Sequence, residues 1–450
     1  MGNTSRISAI ATGLKHKFYM YPLHIKRCST ARALGALSII SGAIFTVPAI
    51  AAMGTGDTPG VVTPGVVTPR AVTPYVDYTV FYEDNLLRFY NGAAAQIAEG
   101  STQMSDTVRR ATGGLRFSEQ VSQQHFTADI SLNRSSFDHF NQFDNTGEDL
   151  LANWNWHVGN NLEGNASTNY SESLTPFDSF RTSQSNLPLQ GNVRRQWTNS
   201  IDAGWRFGAD WRMHGAVTRY QLTYDLDALH GSDQTQDTTE LGLDYLAPSS
   251  STIGVQLRHI RGGCPDSDCH GLVLGTNYIQ NEVKGKIDWQ VTGKSRIQFL
   301  GGWVQRNYDT FSTENFNGTN ARLIGTWAAT GKIGMAINVW REISAVADLT
   351  ANYALVHGVS LGGGWDVTSK LRIESSFNIE QRDYNGVAIL GGGTTTTRSD
   401  HDSKAGLGLT YLPYAHLKVG AAIFHETLNS TITQLGFHAN GAHVNAHYEF

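Results

Sequence analysis

The feature that most constrains this chain is the two-residue alternation that fills its last stretch. Ala442, Val444, Ala446, Tyr448 and Phe450 alternate with His443, Asn445, His447 and Glu449. Successive side chains of a β-strand point to opposite faces, so one face here is apolar and the other polar. The pattern recurs upstream. Val76, Tyr78, Val80 and Tyr82 oppose Asp77, Thr79 and Glu83, with Phe81 as the exception. Phe126, Ala128, Ile130 and Leu132 oppose Thr127, Asp129, Ser131 and Asn133. Val283, Ile287 and Trp289 oppose Glu282, Lys284, Lys286 and Asp288, and Leu371, Ile373, Phe377 and Ile379 oppose Arg372, Glu374, Asn378 and Glu380. Four charges on one strand face do not suit a dry core, because burying charge is costly. A water-filled lumen on that side and lipid on the other satisfy both faces. The fold expected is therefore all-β, a transmembrane antiparallel β-barrel.

Composition fits that reading. Glycine is abundant at 47 and charged residues make up only 16% of the 450, too few for an ordinary soluble surface. The net charge of −5 offers no footprint for nucleic acid. Short turns at 159–161, 247–251, 292–295, 330–332, 368–370 and 413–416 alternate with longer polar stretches such as 134–146, 225–234, 262–275 and 385–397. Short periplasmic turns and long outer loops are the habit of such barrels. The pattern predicts eighteen strands, with sixteen as the alternative. The first is expected over 75–90 and the last over 434–450.

A hairpin repeat supports the count. WQVTGK, WAATGK and WDVTSK place Trp289, Trp327 and Trp365 at 38-residue intervals, each just before a short turn. Two membrane strands with their connections need about that length. The three tryptophans are expected in the periplasmic aromatic girdle. Tyr448 and Phe450, terminal aromatics on an apolar face, are read as the signal for barrel-assembly machinery or as burial at the closing seam.

The barrel is expected over 74–450. Ahead of it, the apolar run from Ala33 to Val47 is short for a membrane helix. It follows Lys15, Lys17, Lys26, Arg27 and Arg32 and precedes the small residues Ala49, Ala51 and Ala52. This is the layout of a secretory signal, placed over 1–52, with Met1 or Met20 as its start. Residues 53–73 carry a V-T-P unit three times and read as an extended periplasmic leader. Cys264 and Cys269, in CPDSDC, are an even pair in an exported chain. A loop disulfide is the simplest reading, ahead of a metal site.

Several segments carry a family resemblance: YEDNLLR (82–88), DNTGEDLLANWNW (144–156), DWQVTGKSRI (288–297) and WREISAVADLTANY (340–353). In order and spacing they resemble the outer-membrane family called EpsL, which accompanies exosortase/PEP-CTERM loci that make exopolysaccharide. The likeness runs from about residue 75 to 450. It implies an outer-membrane protein of exopolysaccharide biosynthesis, with the glycan and periplasmic or inner-membrane export components as partners. The CPDSDC loop and the V-T-P leader depart from the pattern. No catalytic residue is carried over.

The candidate lumen lining comprises Glu282, Lys284, Lys286, Asp288, Arg372, Glu374, Glu380, Arg382, Asp402, Lys404 and Lys418. These groups can brace neighbouring strands as ion pairs or line a polar conduit. Trp340, on the face of Glu342, can stack on a sugar or fill a narrow lumen. His443 and His447 stand about 13 Å apart along one strand face, too far for one metal. No nucleophile elbow or comparable signature appears. The expectation is therefore a non-enzymatic protein without cofactor or metal, in the bacterial outer membrane and in contact with its lipid. It supports exopolysaccharide production as a polar conduit, acts as a general diffusion porin, or is a closed scaffold.

Overall fold

The computed structural model describes residues 71–179, 191–265, 277–309, 315–345, 353–385, 388–389 and 395–450. The expected signal segment, the leader up to residue 70, and Cys269 lie outside them.

The strands are β1 Val72–Glu83, β2 Asp106–Val121, β3 Gln124–Phe137, β4 Asn145–Val158, β5 Leu162–Leu174, β6 Val193–Phe207, β7 Trp211–Tyr224, β8 Gln234–Leu246, β9 Thr252–Gly263 and β10 Tyr278–Thr292. They continue as β11 Ser295–Tyr308, β12 Phe316–Ala328, β13 Ile333–Ala345, β14 Tyr353–Asp366, β15 Leu371–Asn385, β16 Ala388–Ile389, β17 Thr395–Thr396, β18 Ser399–Tyr414, β19 Leu417–Ser430 and β20 Phe437–Glu449. The β16–β17 pair is a small hairpin within a loop. The other eighteen form one antiparallel sheet that closes on itself: β20 pairs with β1 from Tyr75↔Glu449 to Glu83↔Gly441. This is an eighteen-stranded β-barrel.

The alternation decides which face looks out. On β20, Val444 and Tyr448 are exposed, as is Phe450 just past its end, while His447 is buried inside. The same split runs round the wall. Tyr78, Leu132, Ile201, Leu257, Val283, Ile337 and Leu407 all stand outward and exposed. So wide an apolar surface is far beyond what a water-facing protein displays, and lipid is the medium that covers it. Trp289, Trp327 and Trp365 sit outward near the short turns of alternate hairpins and are about half exposed. Both chain ends of the barrel share that rim, which is therefore the periplasmic one. Turns there are tight; Gly159 takes a left-handed φ of 63° in the β4–β5 turn, a conformation that favours glycine. Where Pro413 removes a ladder donor, the β18–β19 register shifts between Tyr411 and Tyr414.

Two expectations need correction. The first strand begins at Val72, so the last two residues assigned to the leader belong to the wall. It also stops at Glu83 instead of running to residue 90. From Asp84 the chain turns away, forms the short helix α1 (Gly92–Glu99), and rejoins the wall at Asp106. The Asp-Asn pair at 84–85 is turn chemistry. The Leu86–Leu87 doublet breaks the alternation, and both leucines are buried.

Candidate functional site

Two buried clusters occupy lumen-facing positions toward the extracellular rim. The first is built on the segment 84–105. Leu86, Leu87 and Ala95 pack against Phe81 of β1, Val108 of β2, Phe137 of β3 and Phe424 of β19. All four wall residues occupy lumen-facing positions. Phe81, the residue that broke the outer pattern, thus belongs to an inner cluster. Phe140 and Phe143, from the β3–β4 loop, complete it.

The second marks a lapped joint in the wall. The β12–β13 ladder ends at Ala321↔Arg341, although β12 continues to Phe316 and β13 to Ala345. Beyond that point, Ile343 and Tyr353 stand at positions that the alternation assigns to lipid. They instead cluster with Ile260, Tyr278, Val304 and Tyr308 from lumen-facing positions. The tops of β13 and β14 therefore lie inside the wall made by β11 and β12. Side chains cap the separated edges. Arg341 donates to the carbonyl and hydroxyl of Thr319, and Asn320 Oδ1 accepts from the Ile343 N–H at 3.2 Å. Unpaired backbone at membrane depth costs several kcal/mol per group, which is the reason for capping it.

The charged lining forms ion-paired networks. In the extracellular half, Arg258 Nη1 donates to Glu282 Oε2 at 2.9 Å, and Lys284 Nζ lies 2.8 Å from the same oxygen. Gln280 Nε2 donates to Glu282 Oε1, and Arg306 Nε donates to Gln280 Oε1 at 2.6 Å. The side chains of Glu282 and Lys284 are each only 2% exposed. The sequence pattern called for water over the four charges of β10. For these two, the counter-charges of β9 and β10 take water's place.

Toward the periplasm the exposure is mixed, from the fully buried Asp244 to the half-open Arg296. Lys286 Nζ reaches Asp244 Oδ2 at 3.3 Å, and Arg212 Nη2 donates to the same oxygen at 2.6 Å. Arg212 and Arg206 share Glu163, at 3.1 and 2.6 Å. Arg296 Nε donates to Asp288 Oδ1 at 2.6 Å, and those side chains are 42% and 21% exposed. Across the lumen, Arg372 bridges Asp366 at 3.1 Å and Glu374 at 2.9 Å. Arg382 binds Glu380 at 2.6 Å and lies 3.8 Å from Asp402. Lys404 Nζ donates to Glu426 Oε2 at 3.3 Å. Lys418 faces inward in register with His447, partly exposed.

Trp340 is not a free stacking platform. Its ring lies over Gly358, where a Cβ would meet it at 2.6 Å. The Arg322 guanidinium sits 5.7 Å from its centroid and is held by Glu342 at 2.6 Å. Cys264 is disulfide-bonded, and Cys269 lies outside the described residues. Among the described residues, no group of three or more His, Cys, Asp or Glu is placed to hold a metal.

Sequence reasoning missed one wall of the lumen. On β4–β7 the inward positions include a band of amides and hydroxyls, Asn153, Asn155, Asn165, Ser167, Ser200 and Thr218, set among charged neighbours such as Glu163 and Arg212. Asn165 Nδ2 donates to Asn155 Oδ1 at 2.9 Å, and Ser200 and Thr218 share a hydrogen bond of 2.9 Å. The signal was available in the alternation of NWNWH and EGNASTN.

A closed eighteen-strand wall with a lipid-facing belt and a polar interior defines an integral β-barrel of the bacterial outer membrane. No family model and no curated protein matches this chain. Among solved structures it is similar to the outer membrane protein OpdK of Pseudomonas aeruginosa, with a TM-score of 0.44 and 8% identity over 84% of this chain and 99% of that one. OccK2 (OpdF) of the same organism gives a TM-score of 0.46 and 10% identity over 84% and 98% of the two chains. OccAB3 of Acinetobacter baumannii gives 0.42 and 10% over 84% and 99%.

Proposed function

We propose that this barrel is a porin-like channel for polar solutes. The observation that carries the reading is the lumen itself, polar along nearly every strand and paired in charge. Because cations and anions neutralise one another locally, the lumen exerts little net field on a passing ion. Neutral and zwitterionic solutes are the class it suits. Hydrogen-bonding groups on β4–β7 replace part of the hydration that such solutes give up. The test compares wild-type cells with a strain lacking the protein. Slower uptake of small neutral solutes in the null strain, with open conductance of the purified barrel, supports a channel. Uptake unchanged for every solute tested, with no conductance, overturns it.

A second reading is support or export of exopolysaccharide, favoured by the resemblance of segments 82–88, 144–156, 288–297 and 340–353 and by the amide and hydroxyl wall. A hydroxylated chain needs such a lining to cross a bilayer. Its movement would be driven by synthesis or by partners in the periplasm and inner membrane. The same null strain distinguishes the readings: export predicts lost secreted polymer with normal uptake of small solutes. A closed scaffold predicts lost polymer, no conductance, and indifference to substitution of Arg372 and Arg382.

A further inference from the structure

The segment 84–105 is pinned at both ends and latched in between. At its start, Asp84 N–H donates to Asn440 O at 3.0 Å, and Asn440 returns hydrogen bonds from its backbone and side-chain nitrogens to the Asp84 carboxylate. At its end, the buried Asp106 carboxylate accepts from the backbone N–H groups of His139 and Phe140, each at 3.0 Å. Between these pins, Arg88 ties the segment to the adjoining wall, where β20 links β1 to β19. Its guanidinium pairs with Glu83 of β1 and donates to Glu426 Oε2 of β19 at 3.3 Å. It also donates to Asn85 O at 2.9 Å and lies 5.1 Å from the centre of the Phe437 ring. Arg88, Glu83 and Glu426 are all buried.

A second observation concerns the backbone. Arg88 has a φ of 62°, the left-handed region that residues other than glycine rarely adopt. An arginine held there implies that its side-chain contacts over-determine the local conformation. Asn85 closes the same turn, donating from Nδ2 to Phe89 O at 2.8 Å and His438 O at 2.9 Å. Farther along, the segment is loosely held. Helix α1 has eight residues and buries only Ala95, and Ile97 stands exposed. A firm latch followed by a lightly packed helix suits an element that swings as a unit.

We propose that residues 84–105 are a hinged plug of the extracellular mouth, and that the Arg88–Glu83–Glu426 triad is the latch that keeps it seated. The plug turns about Asp84 and Asp106. When the triad parts, Leu86 and Leu87 leave the phenylalanine cluster and the mouth widens beside β1 and β19. Glu426 also holds Lys404, so the latch is coupled to the charges below it. A cationic solute that reaches Glu426 from the periplasmic side competes with Arg88 and Lys404 for that carboxylate.

This inference rests on the channel reading for its current, but not for its movement, and the experiment separates the two. The full-length chain carries Leu87→Cys as its sole cysteine, with Cys28, Cys264 and Cys269 replaced by serine, with or without Arg88→Ala. Folding is checked by heat-modifiable migration. An impermeant maleimide is applied to intact cells, and conductance is measured in planar bilayers. The expected result is a shielded cysteine with Arg88 present and a labelled one with Arg88→Ala. Open probability should rise by roughly a hundredfold or more, up to saturation, the order of shift expected when one partner of a buried ion pair is removed. Arg88→Lys, which keeps charge but loses the fork, should fall between. If Arg88→Ala does not insert, Glu426→Gln leaves the Arg88–Glu83 pair in place and should shift both readouts in the same direction. A cysteine equally silent, or equally labelled, with and without an intact latch overturns the plug, whatever the current does. A label that appears without current in any variant supports the plug and ends the channel reading.

Discussion

The two ends of the lumen solve one problem in opposite ways. Near the periplasm, Asp288 and Arg296 pair while open to water. Some way up the same strand, Glu282 and Lys284 pair with almost none. Both regions put acid and base on neighbouring strands, and both read identically in the sequence. What differs is the material overhead. Glu282 and Lys284 lie beneath the lapped tops of β13 and β14, whose Ile343 and Tyr353 pack on β10 and β11, so these two charges are satisfied by protein alone. Screening by water makes the Asp288–Arg296 pair nearly optional for stability, whereas Glu282 and Lys284 are obligatory partners.

The largest expected effect follows from that difference. Replacing Glu282 by alanine takes from Lys284 its carboxylate in a dry pocket, beside an Arg258 that keeps Glu240. Breaking a buried pair costs about 3–5 kcal/mol. Urea unfolding of the purified barrel should show a loss of that size, or the protein should fail to accumulate in the outer membrane. A loss below 1 kcal/mol would mean that water reaches the upper half and that the contrast between the ends is false.

The lapped joint gives the next effect. Ile343→Ala removes a side chain buried against Val304 and Tyr308, and deleting such a group costs about 2–4 kcal/mol. Val339→Ala, two turns of the alternation below the joint and facing lipid, should cost clearly less. Equal losses at the two sites would indicate that Ile343 faces lipid as its sequence position suggests, and the joint would be wrong.

Topology supplies a third test. Single cysteines at Asn160, Gly293 and Ser369 lie in short turns and should resist an impermeant reagent on intact cells. Those at Asn141 and Ser232, in the longer connections, should be labelled. Reversal would exchange the two ends of the comparison.

Much of this wall was readable before any coordinates. The period of two places each side chain on its face, and the turn lengths place each strand at an end. The repeat of Trp289, Trp327 and Trp365 sets the hairpin length. The parts that escaped are those that depend on register or on departure from the wall. Nothing in β10 alone says that Arg258 stands opposite Glu282, because that follows from pairing β9 with β10. Ile343 has the spacing of a lipid-facing residue, and only the end of the β12–β13 ladder turns it inward. The plug did leave traces: Phe81 out of phase, a turn dipeptide at Asp84–Asn85, and aromatic Phe140 and Phe143 in a connection that should be polar.

The smallest expected effect on stability is the one most informative about function. Arg296→Gln breaks the pair with Asp288 but leaves both groups in water. Exposed pairs contribute about 0.2–1 kcal/mol, so unfolding should barely change. Asp288 then carries an uncompensated negative charge at the periplasmic end of the lumen. The reversal potential in a salt gradient should move toward cation preference. The shift should shrink as salt is raised, because screening shortens the reach of an exposed charge. The same uncovering attempted above, by Arg258→Gln beside Glu282, should damage folding before it alters selectivity. A selectivity shift from the upper site in a well-folded barrel, with none from the lower, would invert the comparison and place the hydrated, solute-facing region at the extracellular end.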